Sequence, residues 1–279
     1  MVVTPVRAGL GLLFGLAACG SGGGFPDARP IDSPIPGGRF AVSWTVTDNG
    51  GQPISCDPIG AQSITAAIHN RAVEGGETEV FVCSTGSGES QAFTPGIYDM
   101  DFQLNGAIVL PAIPDGVIAR AAPQLGVLLE SGKTTQLAPL AFKLDVTGGL
   151  ALHFDAGKAA GNCAATGANG AGITTTSISL VKNRDSSCAA VTLDIAAGAT
   201  QPARTYTIDC ATPVDGPCID SDQVITVMGV PSDSYTIHIK GKTVPTMCWT
   251  NNDALQVPPN GVTLTHTLNL ALTTGTPGC

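Results

Sequence analysis

The chain is poor in charge and in aromatic rings. Charged side chains make up 13% of its 279 residues and aromatic ones 5%, with 13 Lys and Arg set against 22 Asp and Glu. Binding to nucleic acid needs a basic stripe, and a net charge of −9 without one excludes it. The same balance argues against peripheral adsorption to anionic lipid. So few aromatics leave no obvious stacking platform for sugars, and Trp44 and Trp249 read as core and loop anchors. No apolar run reaches the ~20 residues that cross a bilayer as a helix. No Gly-x-Ser-x-Gly elbow, His-Glu-x-x-His pair or glycine-rich phosphate loop occurs, so the usual hydrolase, metalloprotease and nucleotide-binding signatures are missing. No window carries a long helical period with caps. No two cysteines form a Cys-x-x-Cys pair, which removes the best support for a zinc ribbon or a thioredoxin-like site.

What remains is rich in small residues, with 35 Gly and 20 Pro, and is 43% hydrophobic. The length suits two small domains behind a processed N-terminus. Residues 1–18 read as an export signal. Arg7 supplies the positive region and Ala8 to Leu16 the short apolar one. Leu16-Ala17-Ala18-Cys19 follows, then Gly20-Ser21-Gly22-Gly23-Gly24. Residues 19–38 form a linker, first Gly/Ser-rich and then broken by Pro26, Pro30, Pro34 and Pro36, which makes a semi-extended spacer.

From Arg39 the pattern turns to period two. Phe40, Val42, Trp44 and Val46 alternate with small or polar residues, as in a half-buried strand. Further strands are expected at Ile64 to Ile68, Glu79 to Cys83, Ile97 to Leu104, Gly116 to Ala121, Gly126 to Leu129 and Leu137 to Val146. The second half then repeats the first in order. Leu150 to Phe154 answers Phe40 to Trp44. Asn162-Cys163 answers Ser55-Cys56, Ile173 to Val181 answers Ile64 to Ile68, and Thr207 to Cys210 answers Val80 to Cys83. Val230 to Ile239 answers Pro95 to Leu104, and Gly261 to Leu264 answers Gly126 to Leu129. The second copy carries insertions at Asn183 to Arg204 and Ala211 to Asp222. The expected architecture is all-β, two tandem immunoglobulin-like or prealbumin-like β-sandwich domains over residues 39–147 and 148–279.

With Cys19 set aside, eight cysteines remain, and widely spaced even cysteines in an exported chain mean disulfides. Cys56 and Cys83 stand alone in the first domain and are expected to pair, a bridge worth roughly 3 to 4 kcal/mol. The repeat then assigns Cys163 to Cys210. Cys188, Cys218, Cys248 and Cys279 leave alternatives open, of which Cys188–Cys218 and Cys248–Cys279 are favoured.

Four histidines, His69, His153, His238 and His266, stand singly and form no recognisable catalytic group. Asp99 and Asp101 share a strand face and read as solvated rather than as an acid–base pair. Asp209, Asp215, Asp220 and Asp222 crowd one loop, and Asp220-x-Asp222 is the nearest thing to a calcium ligand pair, though the spacing fits no EF-hand. No cofactor, no metal beyond that weak candidate and no catalytic residue is expected.

The Leu16 to Cys19 stretch resembles the lipobox of bacterial lipoproteins. That resemblance implies cleavage before Cys19, diacylation of its thiol and acylation of the new N-terminus, palmitate included. It makes the membrane a partner through acylated Cys19, since several chains anchor where one is marginal. Gly20 in place of Asp implies the cell outer membrane under the enteric sorting pattern, facing the periplasm or the cell surface. The Pro-Gly-x-Tyr segment at Pro95 to Tyr98 is similar to one in prealbumin-like and carboxypeptidase-regulatory-like sandwiches. The whole resembles two-domain Gly/Thr-rich surface lipoproteins of predatory and social Gram-negative bacteria, a resemblance that brings no activity with it. The expected role is structural or adhesive, with an unidentified protein or carbohydrate surface ligand. A carbohydrate- or calcium-binding module using the second domain's loops is the alternative, and a hydrolase with an unrecognised site stands behind both.

Overall fold

β1 (Arg39–Asp48) buries Phe40, Val42, Trp44 and Val46 and turns the residues between them outward, as its period-two pattern requires. The computed structural model describes residues 36–107, 116–210, 215–243 and 247–273. The signal, Cys19, almost all of the linker and Cys279 lie outside the described residues. Around β1 the first sheet holds antiparallel β4 (Ser87–Glu89) and, both parallel to it, β8 (Thr134–Gln136) and β9 (Leu140–Leu144). The facing sheet centres on β2 (Ala61–Asn70), between β3 (Glu77–Val82) and β5 (Gly96–Gly106). The far edge of β5 is shared by β6 (Val117–Arg120) and β7 (Gln124–Leu129). Phe40 sits between the sheets with the rings of Phe81, Phe93 and Phe102 at 6.1, 6.0 and 6.5 Å.

The second sandwich repeats this plan. β10 (Thr147–Asp155) takes the place of β1, with antiparallel β15 (Ile225–Pro231) on one side and parallel β18 (Thr263–Asn269) on the other. β12 (Thr192–Ile195) and β13 (Arg204–Thr207) extend that sheet beyond β15. The facing sheet runs β14 (Gly216–Pro217), β11 (Ile173–Lys182), β16 (Ser234–Thr243), β17 (Cys248–Gln256) and β19 (Ala271–Thr273). Among the described residues there is no α-helix, and short 3-10 turns occur at Cys83–Thr85 and Thr166–Ala168. The two cores share no residue.

Two correspondences inferred from sequence need correction. The counterpart of β3, the strand that edges β2 and runs into Cys83, is β14, which edges β11 and runs into Cys218. Thr207 to Cys210 instead closes a hairpin inserted between β11 and β14. Likewise β18 lies parallel to β10 as β8 and β9 lie parallel to β1, so Gly261 to Leu264 answers those strands and not β7.

The disulfides follow the same logic. Cys56 joins Cys83 across 27 residues. Cys163 joins Cys218 across 55, in place of the expected Cys210. Cys188 joins Cys210 across 22, in place of the expected Cys218. The physical reason is that Cys188 and Cys210 bracket the same inserted hairpin, whereas Cys218 carries the repeat's own bridge. In the chain-entropy account these loops are worth about 3.5, 4 and 3.5 kcal/mol. Cys248 is also disulfide-bonded. Its expected partner, Cys279, is outside the described residues.

Each sandwich also has a tyrosine that fastens a strand start to the preceding turn, as in a tyrosine corner. Tyr98 Oη donates to Thr94 O at 2.6 Å and Tyr235 Oη to Pro231 O at 2.9 Å, four residues upstream in both cases. Burial and the nearby Asp233 carboxylate push the Tyr235 phenol up to about 12.

Only Asp145 and Val146 separate β9 from β10, and the described residues from 36 onward pack as one compact unit. The junction is latched by Asn260, held at φ +63°, a conformation Asn tolerates better than most residues. Its N–H donates to Asp145 O at 2.9 Å, its Oδ1 accepts from Asp145 N at 3.0 Å, and its Nδ2 reaches Ile118 O in the first sandwich at 2.8 Å. Gln256 Nε2 adds a bond to Pro58 O at 3.0 Å.

Candidate functional site: the cleft between the sandwiches

The titratable side chains singled out in the sequence are mostly committed to local structure. His238 Nδ1 lies 2.7 Å from Asn252 Oδ1, His69 Nδ1 3.4 Å from Gly75 O, and His266 Nε2 3.5 Å from Asp253 Oδ2. His153 sits on β10 opposite Thr267. Asp99 accepts from Arg71 Nε at 2.9 Å and Nη2 at 2.7 Å, and from Gly126 N at 2.8 Å. The guanidinium hydrogen bonds first, then the Gly126 amide, hold its carboxyl below the usual range. It therefore clamps the β2–β5–β7 turns and makes no acid–base pair with Asp101, which stands opposite Ala67.

The acidic loop is likewise structural. Asp220 is 6% exposed. Its Oδ1 accepts from Asn162 N at 2.7 Å, Ser221 N at 2.9 Å and Cys163 N at 3.4 Å, and its Oδ2 from Thr200 Oγ1 at 3.1 Å. A carboxylate that holds four protein donors is committed to fastening this loop. A Cβ added at Gly161 would come within 2.3 Å of that Oδ1, so the approach requires glycine there. Asp222 Oδ2 accepts from Ala199 N at 2.6 Å, and Asp215 pairs with Lys242. Asp220 and Asp222, the weak calcium candidates of the sequence, are both engaged in these protein hydrogen bonds. Among the described residues no group of three or more His, Cys, Asp or Glu could hold a metal ion. Arg204 donates to the carbonyls of Pro217 and Cys218, and burial lowers its pKa.

The sequence reading missed Asn162, fully buried at 0% exposure. Its Oδ1 accepts from Ala156 N at 2.9 Å, and its Nδ2 donates to Phe154 O at 2.7 Å and Ile219 O at 3.1 Å. A polar residue directly before a bridging cysteine was the one available signal.

Two concave surfaces adjoin one another near the junction of the sandwiches. A cleft of about 330 Å³ is lined by Ile54, Pro58, Val146, Lys182, Arg184 and Asp233, among others. A second groove, of about 400 Å³, runs over Trp44 and the Cys56–Cys83 bridge and shares the Pro53–Ser55 wall. Lys182 belongs to the inward row of Ile178 and Leu180, so it leaves the core at the end of β11, beside the cleft. Arg184 Nη2 lies 3.2 Å from Asp233 Oδ2, whose side chain is 7% exposed. Asp185 is held low first by hydrogen bonds from Ser187 and then by Lys182 and Arg184. The cleft thus holds the Arg184–Asp233 ion pair. It presents apolar wall, hydroxyl and backbone, which suits contact by shape, and it contains no nucleophile with a base beside it.

No protein-family model matches the chain, and no curated protein matches it. Among solved structures, the major pilin from Streptococcus pyogenes aligns over 84% of this chain and 99% of its own, at 10% identity and a TM-score of 0.27. The shaft pilin SpaA from Lactobacillus rhamnosus GG aligns over 86% and 100%, at 8% identity and 0.28. A leucine-rich repeat protein from Bacteroides thetaiotaomicron aligns over 83% and 26%, at 12% identity and 0.25. Superpositions this loose carry no argument about function.

Proposed function

We propose that this chain is a lipid-anchored protein of the outer membrane whose two disulfide-stapled sandwiches serve a structural or adhesive role without catalysis. The observation that carries the reading is how the polar side chains are used. Asp99, Asp220, Asn162, Arg204 and Asn260 are each spent on fastening turns, insertions or the junction, as a load-resistant surface body requires. The oxidised cysteines agree with an extracytoplasmic compartment. Both tryptophans are buried, at 6% and 7% exposure, which counts against a stacking site for carbohydrate. Acylated Cys19 supplies the membrane partner in this reading, and the Gly/Pro linker holds the sandwiches off the bilayer.

The test is intact-mass analysis of the membrane fraction from cells expressing the native chain and Cys19→Ala. The native chain is expected in the membrane, starting at residue 19 and heavier by its acyl groups. Cys19→Ala is expected in the soluble fraction at its bare polypeptide mass. A native chain recovered without acylation overturns the anchor.

A further inference from the structure

The two sandwiches treat their sheet edges differently. An edge strand exposes unpaired N–H and C=O groups, and proteins blunt such edges with charge, proline or brevity. β9 carries Lys143, β6 carries Arg120 and β13 carries Arg204. β4 and β19 are three residues long, and β14 is Gly216-Pro217. Side chains of β17 close over β18, through Asn251 Nδ2 to Asn269 O at 2.9 Å and through Asp253 to His266. β7 carries no charge, but Thr135 Oγ1 of β8 donates to its Leu128 O at 2.8 Å. β3 is neither short nor basic nor broken by proline, and its two charges, Glu77 and Glu79, lie in its first half. It is six residues, Glu-Thr-Glu-Val-Phe-Val, and pairs only with β2 among the described residues. Its inward row places Phe81 in the core, while its outward row leaves Val80 and Val82 at 62% and 60% exposure. Glu79 is drawn off the edge, its Oε1 accepting from Gln91 N at 3.1 Å.

We propose that β3 is a self-complementary docking edge at which a second copy of this chain adds, antiparallel, about a twofold axis through Val80. Residues opposite one another across an antiparallel pair point to the same face, which restricts the register to a centre on a residue. A centre on Glu79 opposes two carboxylates and is disfavoured. A centre on Val80 opposes Val80 with Val80 and each Thr78 with Val82, so the exposed valines cover one another. The two Glu77 side chains then fall at opposite ends. The contact is small, so pairing is weak in dilute solution and strengthens where a shared surface confines the copies.

The experiment is cysteine cross-linking in the full chain. Cα atoms of directly opposed residues lie about 4.5–5.5 Å apart, within disulfide reach. Val80→Cys is expected to give a dimer on non-reducing gels, several-fold above Leu125→Cys and Met228→Cys, which are as exposed but lie away from β3. Val82→Cys alone is expected to cross-link poorly, and a mixture of Thr78→Cys and Val82→Cys well. Val80→Lys, compared with the native chain by sedimentation across rising concentration, is the variant that adds no thiol, and it is expected to remove the concentration-dependent dimer. A Val80→Cys yield no higher than that of Leu125→Cys, or an unchanged association state in Val80→Lys, overturns the proposal. So does a Val82→Cys homodimer equal to that of Val80→Cys, or capture of a different protein by Val80→Cys. Repeating the series in Cys19→Ser separates the two readings. Loss of an anchor lowers the dimer yield but keeps the register preference, whereas a wrong edge loses the preference in both backgrounds.

Discussion

Replacing Asp220 by alanine is expected to destabilise the second sandwich by about 3–5 kcal/mol, the sum of roughly two charge-assisted hydrogen bonds lost with buried donors left behind. The strongest lost bond is from Asn162 N at 2.7 Å, and Asn162 has no exposed surface through which water could replace the acceptor. Ser221 N, at 2.9 Å, is partly accessible and recovers some of its loss through solvent. The bonds at 3.1 and 3.4 Å from Thr200 and Cys163 count for less. Because Asn162 also ties Ala156, Phe154 and Ile219 together, the loss spreads through a connected network. Asp220→Asn keeps an acceptor for Asn162 N and is expected to cost only about 1–2 kcal/mol. The assay is urea unfolding with disulfides intact, followed by tryptophan fluorescence. The chain has two tryptophans, Trp44 in the first core and Trp249 in the second. With a slope of about 2 kcal/mol/M, a 4 kcal/mol loss lowers the midpoint reported by Trp249 by about 2 M. An Asp220→Ala change within about 0.5 kcal/mol of the native chain refutes the reasoning, because that is the scale of an ordinary surface substitution. A shift confined to the Trp44 transition refutes it too.

Three further outcomes are expected. Under graded reductant, Cys188–Cys210 should open first, since Cys210 is exposed while Cys56 and Cys83 are 8% and 2% exposed; alkylation and peptide mass would show thiols at 188 and 210 before any at 56 and 83. Asn260→Gly, which keeps the positive φ but removes the side chain, should uncouple the junction and separate the Trp44 and Trp249 unfolding transitions, against a single or closer-spaced pair in the native chain. The Asp99 carboxyl should titrate below the usual carboxylate range by NMR and return toward it in Arg71→Gln. Its folded-state pKa is depressed, so its contribution to stability is present at neutral pH and is lost as pH falls through that depressed value. An Asp99 midpoint unchanged by Arg71→Gln would contradict this.

The strands were legible because their alternation is strict. Phe40 to Val46 and Tyr98 to Leu104 place every second side chain in a core, and a half-buried strand cannot hide that period. The repeat was legible for the strands that carry it, β1 with β10, β2 with β11 and β5 with β16. It misled where an insertion shifted the frame. Cys210 follows a short apolar stretch much as Cys83 does, yet β14 is only Gly216-Pro217 and has no periodicity to detect. The apparent correspondence of Thr207 to Cys210 with Val80 to Cys83 therefore favoured Cys210 over Cys218. Asn260 and Asn162 were invisible for another reason. Each ties its own segment to a backbone group far away in sequence, and no local pattern records a bond from residue 260 to residue 118 or from residue 162 to residue 219.

The same insertion bears on how the chain can associate. By lengthening the path between β11 and β14, it leaves the second copy with an edge of two residues ending in Pro217, which cannot donate to a further strand. The first copy has no insertion there and keeps β3 whole. A chain with equivalent open edges on both sandwiches could link head to tail without limit. A chain with one such edge can use it only once, and a twofold contact through Val80 consumes it in both partners. Pairing through β3 therefore stops at a dimer, because an isologous contact closes where a heterologous one propagates.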